Sequence, residues 1–194
     1  NLDILIFYLF KIDKDKCLGI INFSNGGIFF QSPSQGSYGG FEFDDNINYE
    51  IKYKFIESVL DYIKSKKPKY INIKVSPVIY NINNNTEINS ILHNLGFKIK
   101  DSEINQYINL EDYSINSSVT YGNRKRIKNC SSLSLKFSKL SNNDYYSAFD
   151  VIAENRKRRG YPLTMQWKDI DKMIKAFEKR IEIFGLFHNE KIIA

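Results

Sequence analysis

A basic run in the second half of the chain carries the residues best suited to bind an anionic substrate. It covers residues 155–159 and leads into a rigid turn at Tyr161-Pro162. An arginine guanidinium can hold a phosphate or a carboxylate through two parallel hydrogen bonds, and an asparagine side chain can hydrogen-bond a polar group of a ligand. The alternative is a solvated helix end, where cations are favoured by the helix dipole. The predicted substrate-binding residues here are Asn155, Arg156, Arg159, Tyr161 and Thr164.

A second basic run lies at residues 124–128 and contains no acidic residue. Its cations could contact a nucleotide phosphate, a tRNA acceptor stem or lipid headgroups. The alternative interpretation is a solvated linker helix. The predicted anion- or nucleic-acid-binding residues are Arg124, Lys125, Arg126 and Lys128.

A glycine-containing loop is the best candidate for ligand contact in the first half of the chain. Paired glycines let the backbone approach a ligand closely, and a tyrosine offers a stacking face with a hydroxyl group. An ordinary loop entering a strand is the alternative. Glu42 follows and could assist proton transfer, although alternation favours the solvent side of a strand. The loop candidates are Ser37, Tyr38, Gly39 and Gly40.

The remaining chemistry-bearing residues argue against several enzyme classes. No Ser/His/Asp or Cys/His set is visible, and His93 and His188 have no evident partners. Glu42 and Asn155 are therefore the candidates for a catalytic role. With so few cysteines and histidines we expect no metal site. Cys17 and Cys130 are also too few for a disulfide framework, which favours a reducing, cytoplasmic setting.

The composition is that of a globular protein with a preference for anionic partners. The chain has 194 residues, 42% of them hydrophobic, and a formal net charge of +6. No apolar run approaches the length needed to cross a bilayer, which leaves peripheral membrane contact open. Because residue 1 is Asn rather than Met, we expect the natural N-terminus to lie further upstream.

The first block of the chain predicts the element order β-β-β-α-β-α-β-β. Strands are predicted at residues 3–10, 17–23 and 27–31, with the Asn25-Gly26 pair as a hairpin turn. Next come Phe41–Phe43 and a helix that carries Ile56, Val59, Leu60 and Ile63 and is ended by Pro68. A strand is predicted at 71–75, followed by a helix that Thr86 caps and Gly96 ends. Closing strands are predicted at 97–100 and 106–110.

The second block predicts the order β-α-α-β-β after a linker at 111–118. A strand at 133–140 comes first, and Ser141 and Asp144 resemble a capping box for the next helix. Thr164 is predicted to cap a further helix, in which Trp167 belongs to an apolar stripe and is expected in the core. The closing hairpin at 183–194 repeats the pattern of residues 6–18, a buried strand, a polar turn and an apolar partner.

Taken together, the two blocks resemble parts of two tandem domains of the GNAT acyltransferase fold. The first block resembles that fold without its opening β-α-α, and the second resembles its opening β-α-α-β-β. Tandem GNAT-like domains are the hallmark of the Fem family of peptidyl and aminoacyl transferases. Three segments also resemble Fem-like motifs: Ser32-Pro33 with Tyr38–Phe41, Tyr121–Lys128, and Asn155–Met165.

The resemblance implies an α/β protein of the α+β type, with a mixed and largely antiparallel sheet flanked by helices. Its domains would be residues 1–112, a linker and basic helix at 113–131, and the N-terminal half of a second domain at 132–194. The implied activity is N-acyl transfer to an amino group of a sugar nucleotide, cell-wall precursor or surface glycan. The donor would be acetyl-CoA, another acyl-CoA or an aminoacyl-tRNA, and the acceptor a small anionic or carrier-linked molecule.

One departure concerns the donor site. GNAT enzymes hold the CoA pyrophosphate at a glycine-rich turn after their fourth strand, and residues 32–40 occupy that place without the usual spacing of glycines. Two rival interpretations therefore remain: a non-catalytic module that binds RNA or phosphate through the basic runs, and a degenerate GNAT scaffold. RNA binding would weaken steeply with salt.

Overall fold

The computed structural model of the chain describes residues 3–34, 36–111, 114, 119–177 and 180–194. The chain divides into two compact units, Asn1–Tyr107 and Ile108–Ala194. Each unit combines helices with a sheet that is wholly or mostly antiparallel, which confirms the predicted mixed α+β class. Most of the predicted linker at 111–118 lies outside the described residues.

The first unit is built on a five-stranded sheet. Its strands follow the order β1-β2-β3-β5, and β4 pairs with β2. The β3–β5 pair is parallel and the other pairs are antiparallel. The strands are β1 (Asp3–Lys11), β2 (Lys16–Asn25), β3 (Phe29–Ser32), β4 (Glu42–Phe43) and β5 (Tyr70–Ile73).

Two helices form the main core of this unit with the sheet. They are α1 (Tyr49–Ser65) and α2 (Ile82–Asn94). The predicted stripe of α1 is buried, because residues at this spacing share the helix face that meets the sheet. Burying such side chains stabilises the fold by about 1.5–3 kcal/mol each. The cluster joins Ile56, Val59, Leu60 and Ile63 to Ile21, Phe23, Phe30, Phe41, Ile88, Ile91 and Leu92.

Strand β1 lies at the edge of the sheet and is apolar on both faces. Leu5 and Phe7 pack against the core, whereas the alternate residues point to the other face and are exposed. Those residues are Ile4, Ile6, Tyr8 and Phe10, with exposures of 48–61%. The described part of the chain therefore leaves an apolar strip open along this edge.

Three features of the first unit differ from the sequence-based prediction. The closing strands at 97–100 and 106–110 are wrong, because these residues form no strand in the described structure and Ile99 and Ile108 are 89% and 66% exposed. The predicted cap of α2 is also wrong. Asn81 caps this helix by accepting a hydrogen bond from the Asn84 amide at 3.1 Å, and the Thr86 hydroxyl instead bonds Ile82 within the helix.

The predicted hairpin between β2 and β3 is confirmed, with its sharp bend one residue later than expected. Gly27 has a φ of 78°, a value that costs glycine little. Its amide bonds the Asn25 side chain at 2.9 Å. The prediction that Gly96 ends α2 is likewise confirmed, since its φ is 89° and its amide bonds His93.

The second unit contains a three-stranded antiparallel sheet of order β6-β7-β8. Its order from β6 onward confirms the predicted β-α-α-β-β. The elements are α3 (Tyr121–Ser131), β6 (Leu135–Lys139), α4 (Tyr145–Arg158), α5 (Trp167–Ala176), β7 (Phe184–His188) and β8 (Lys191–Ile192).

A small core holds the second unit together. Leu140, Tyr145, Ala148 and Ile192 are buried, and Trp167 packs against them as expected. Both predicted caps are wrong. The Ser141 hydroxyl bonds the Asp144 carboxylate rather than a helix amide, and α5 begins three residues beyond Thr164, where the Asp169 side chain accepts from the Gln166 amide.

Both predicted hairpins near the ends of the chain are present. Strands β1 and β2 pair over their whole length across a short 3-10 turn at Ile12–Lys14. Strands β7 and β8 pair across Asn189 and Glu190, whose φ values of 48° and 64° suit a two-residue hairpin turn.

Candidate functional site

The loop that holds the glycine-containing candidates lies at the carboxyl ends of two parallel strands. It leaves β3 at Ser32 and returns at Gly39, whose amide bonds Lys74 beyond the end of β5 at 2.8 Å. In open sheets with parallel strands, ligands bind preferentially at this edge. The topology therefore places the loop where a site is expected.

The two glycines have local structural duties that explain their identity. A Cβ atom on Gly39 would lie 3.0 Å from three atoms of Pro33, which is too close for a side chain. Gly40 has a φ of 96°, and its amide bonds the buried Ser32 hydroxyl at 3.1 Å. The two glycines thus hold the loop against the end of β3, and this structural role is sufficient to explain them without a bound ligand.

Tyr38 and Tyr80 come together at the mouth of this loop. Their ring centroids lie 5.4 Å apart, and Tyr80 belongs to a short 3-10 helix at Val78–Tyr80 that follows β5. A hydrogen bond with Tyr80 raises the pKa of Tyr38 above its ordinary value, with smaller contributions from the Tyr80 charge, burial and the Glu42 charge. The raised pKa favours the neutral phenol of Tyr38, whose hydroxyl proton is engaged with Tyr80 rather than free for a ligand.

Replacing Tyr80 with Phe is expected to lower the pKa of Tyr38 toward the ordinary tyrosine value of about 10. Because folding raises the pKa of Tyr38, its hydrogen bond with Tyr80 contributes fully to the free energy of unfolding below the ordinary tyrosine pKa. This contribution is lost as the pH rises through the raised pKa. NMR titration of ring-labelled tyrosine measures the shift directly. Tyr107→Phe is the matched control in the same unit, and an unchanged Tyr38 pKa in Tyr80→Phe would refute the contact.

Ser37 and Glu42 complete this group of predicted residues. Ser37 is exposed at the tip of the loop. Glu42 lies on β4 opposite Ile20 and is exposed, in agreement with the solvent-facing alternative. The Glu42 charge therefore acts on Tyr38, but among the described residues Glu42 has no hydrogen-bond or ion-pair partner that would prepare it as a base.

A buried polar network beside this loop was missed by the sequence analysis. Lys52 on α1 is only 2% exposed. Its ammonium donates one hydrogen bond to the Asn84 side-chain oxygen and another, of 2.7 Å, to the Glu87 carboxylate. The Asn84 amide nitrogen in turn donates to the Phe43 carbonyl and to Asp45, both at 3.2 Å. Lys52 precedes Ile56 at helical spacing, so its core position was visible in the sequence.

In the second unit, the predicted substrate-binding residues lie around the turn that follows α4. The Asn155 side-chain oxygen accepts a hydrogen bond from Arg158 at 3.2 Å, and Arg156 donates to the Pro162 carbonyl at 3.3 Å. The Tyr161 amide also bonds the Arg156 carbonyl at 2.9 Å. Arg156 thus stabilises the turn itself, a role that sequence reasoning did not assign to it.

The other members of this group are placed at the same turn and point to solvent. Arg159, Tyr161 and Thr164 are exposed. Among the described residues Arg159 forms no ion pair, so its guanidinium is available to an anion. The turn can therefore present one arginine and the partly engaged Asn155 to an anionic or polar ligand.

The basic run at residues 124–128 lies on the exposed helix α3, as the sequence indicated. Arg124, Lys125, Arg126 and Lys128 project from it, and one side of the helix borders an open groove of about 600 Å³. The groove is lined by Val119, Asn123, Arg126, Ile127, Cys130, Ser131, Leu133 and Leu135.

The described residues hold no group of His, Cys, Asp and Glu arranged to bind a metal ion. Cys17 and Cys130 are both free and exposed. Across the described part of the chain, no helix combines the length and apolar character that crossing a membrane requires.

Fold and surface together define the chain as a two-unit α+β protein with polar candidate sites at a loop, a turn and a helix. Comparison with protein-family models, with curated proteins and with solved structures finds no match to this chain.

Proposed function

We propose that the chain is part of an N-acyltransferase built from two GNAT-like domains. The observation that carries the proposal is the strand order of the first sheet, in which antiparallel β1, β2 and β3 are followed by a parallel β5 after the helix α1. This is the order that the GNAT plan gives to its second to fifth strands. The open edge of β1 is where that plan adds its opening strand.

The second unit supports the same proposal from the other half of the plan. Its β6, α4, α5, β7 and β8 follow the opening GNAT order, and β6 pairs antiparallel with β7. The two hairpins β1–β2 and β7–β8 then correspond to one step of the plan in consecutive copies. Against it stands the lack of closing strands at residues 97–110 in the described structure.

The proposed reaction is direct aminolysis of the donor. The neutral amine nitrogen of the acceptor attacks the donor carbonyl carbon, the amide C–N bond forms, and the C–S or C–O bond to CoA or tRNA breaks. The proton lost by the amine goes to the leaving group, directly or through water. Catalysis of this kind needs positioning and hydrogen bonds to the oxyanion rather than a nucleophilic side chain.

We assign acceptor binding to the turn after α4. Asn155 would orient the amine, Arg159 would bind a phosphate or carboxylate of the acceptor, and Arg156 would hold the turn through Pro162. Acceptors of suitable chemistry are amino groups on sugar nucleotides, cell-wall precursors or surface glycans. The donor is acetyl-CoA or another acyl-CoA, with an aminoacyl-tRNA as the alternative.

Substitution at this turn tests the proposal in the intact protein. Asn155→Ala and Arg159→Gln should each lower kcat/KM about tenfold or more, because each removes a hydrogen bond to a charged or reacting group. Transfer of a radiolabelled acyl group to an amino-sugar nucleotide provides the assay. Lys157→Gln on the same helix end is the control for lost charge. Unchanged kinetics in both site variants would eliminate this site.

A second candidate function is binding of RNA or phosphate without catalysis, favoured by the four exposed cations of α3. It predicts affinity that falls steeply with salt and no acyl transfer from either donor. A GNAT-like scaffold without activity would show neither transfer nor salt-dependent binding.

A further inference from the structure

The groove beside α3 is lined by polar residues that include one arginine and by several apolar residues. Asn123, Arg126, Ile127 and Cys130 recur at the spacing of one helix face and line it. Asn123 lies in the first turn of the helix and Arg126 at its middle, and the apolar lining residues are Val119, Ile127, Leu133 and Leu135. The span from Asn123 to Cys130 measures about 10 Å along the helix axis.

The part of the groove lined by Asn123 and Arg126 is suited to bind a single anionic group. The Arg126 guanidinium donates to the Asn123 side-chain oxygen over 3.5 Å, a long bond that leaves most of its donors for a ligand. Among the described residues no carboxylate forms an ion pair with Arg126, and α3 contains no acidic residue.

The part of the groove lined by Ile127, Leu133 and Leu135 is suited to bind an alkyl chain. Ile127 and Leu133 are about half exposed along the groove, and Cys130 is exposed beside them. A ligand that covered these side chains would remove apolar surface from water, which favours binding. The groove volume of about 600 Å³ is in the usual range of small-molecule sites.

From these lining residues we propose that the groove binds a small anionic amphiphile, with its phosphate or carboxylate at Arg126 and its alkyl chain over Ile127, Leu133 and Leu135. The occupant is a single-chain molecule rather than a membrane surface. The proposal does not depend on the acyltransferase proposal, since it rests only on residues 119–135. A substrate, a product or a regulator of this chemistry would fit the groove.

Alkylation of Cys130 tests the proposal, because this thiol lies in the groove. The probe is decyl phosphate below its micelle concentration, and the rate of reaction with N-ethylmaleimide is followed by mass spectrometry of the 194-residue chain. We expect decyl phosphate to slow alkylation of Cys130 and to leave Cys17 unchanged as an internal control. Decanoate shows whether the head must be a phosphate.

Two variants that each remove one positive charge distinguish binding in the groove from general electrostatic attraction to the helix. Arg126→Gln should raise the half-protecting concentration about tenfold, the factor expected for a lost charge-assisted hydrogen bond. Lys125→Gln removes the same charge from a residue that does not line the groove and should leave this concentration nearly unchanged. Leu133→Asn should also weaken protection, which tests the apolar lining.

Several outcomes would overturn the proposal. These are no protection of Cys130 by decyl phosphate or decanoate, equal protection by inorganic phosphate or by the uncharged decyl maltoside, and protection only in the presence of anionic vesicles. Equal losses in Arg126→Gln and Lys125→Gln would indicate diffuse electrostatics instead. Protection by an RNA oligonucleotide alone would favour the nucleic-acid function.

Discussion

Replacing Phe23 with Ala is expected to destabilise the first unit by about 3–5 kcal/mol, the usual cost of removing a large side chain from a packed core. Phe23 on β2 is fully buried. Its ring makes edge-to-face contacts with Phe7 and Phe30, with centroid distances of 6.4 Å in both cases. The substitution removes both aromatic contacts and leaves a cavity between the sheet and α1. Urea unfolding followed by far-ultraviolet circular dichroism measures the loss.

Phe10→Ala provides the matched control for this prediction. Phe10 is the same residue type in the same sheet, but it lies on the exposed face of β1 and is 50% exposed. Its substitution should change the free energy of unfolding by about 0.5 kcal/mol or less. Similar losses in the two variants would show that the face of β1 bearing Phe10 is covered and would contradict the assignment of the core.

Local signals in the sequence were sufficient where one residue type meets one physical requirement. The apolar repeat from Ile56 to Ile63 predicted α1, because only a helix gathers residues at that spacing on one face. Gly96 marked the end of α2 because the positive φ that ends a helix favours glycine. The terminal hairpins were recovered for a similar reason, since an apolar strand and a polar turn are both local patterns.

Local signals failed where the outcome depends on a partner elsewhere in the chain. The apolar alternation at residues 97–110 predicted strands, but a strand also needs a neighbour to satisfy its backbone groups. Phe97 instead bonds the Leu92 carbonyl at 3.0 Å as part of the helix end. The cap of α2 was misplaced because residues 81–86 contain several side chains able to cap, and Asn81 is also held at the helix start by a bond to the distant Asp45 carboxylate at 2.7 Å.

The candidate sites show the same division. The exposed cations of α3 and of the turn after α4 were found from sequence, because charged runs are mostly solvated. The sequence did not reveal that Arg156 holds the turn or that Tyr80 faces Tyr38, since Tyr38 and Tyr80 lie on different loops. The spacing of Lys52 on α1 indicated its buried position, but its bonds to Asn84 and Glu87 could not be predicted, because these partners are 32 and 35 residues away.

Replacing Asn84 with Leu is expected to destabilise the first unit by about 3 kcal/mol, because it leaves a buried ammonium with too few acceptors. Lys52 would keep only its bond to Glu87, whose side chain is 39% exposed. The Phe43 carbonyl and the Asp45 carboxylate would also lose the Asn84 donor. Leucine has a similar size, so the loss reports hydrogen bonding more than packing. Urea unfolding again provides the measurement.

A double-mutant cycle with Lys52→Met decides whether the network is the cause. Methionine removes the charge and keeps a long apolar stem, so the pair Lys52→Met and Asn84→Leu replaces the ammonium and its acceptor together. The double variant should be more stable than the sum of the single losses implies, by about 1–3 kcal/mol, since no buried charge is left unpaired. Strict additivity would mean that Lys52 and Asn84 do not interact. The cycle thus separates the specific buried bond between Lys52 and Asn84 from general packing of α1 on α2.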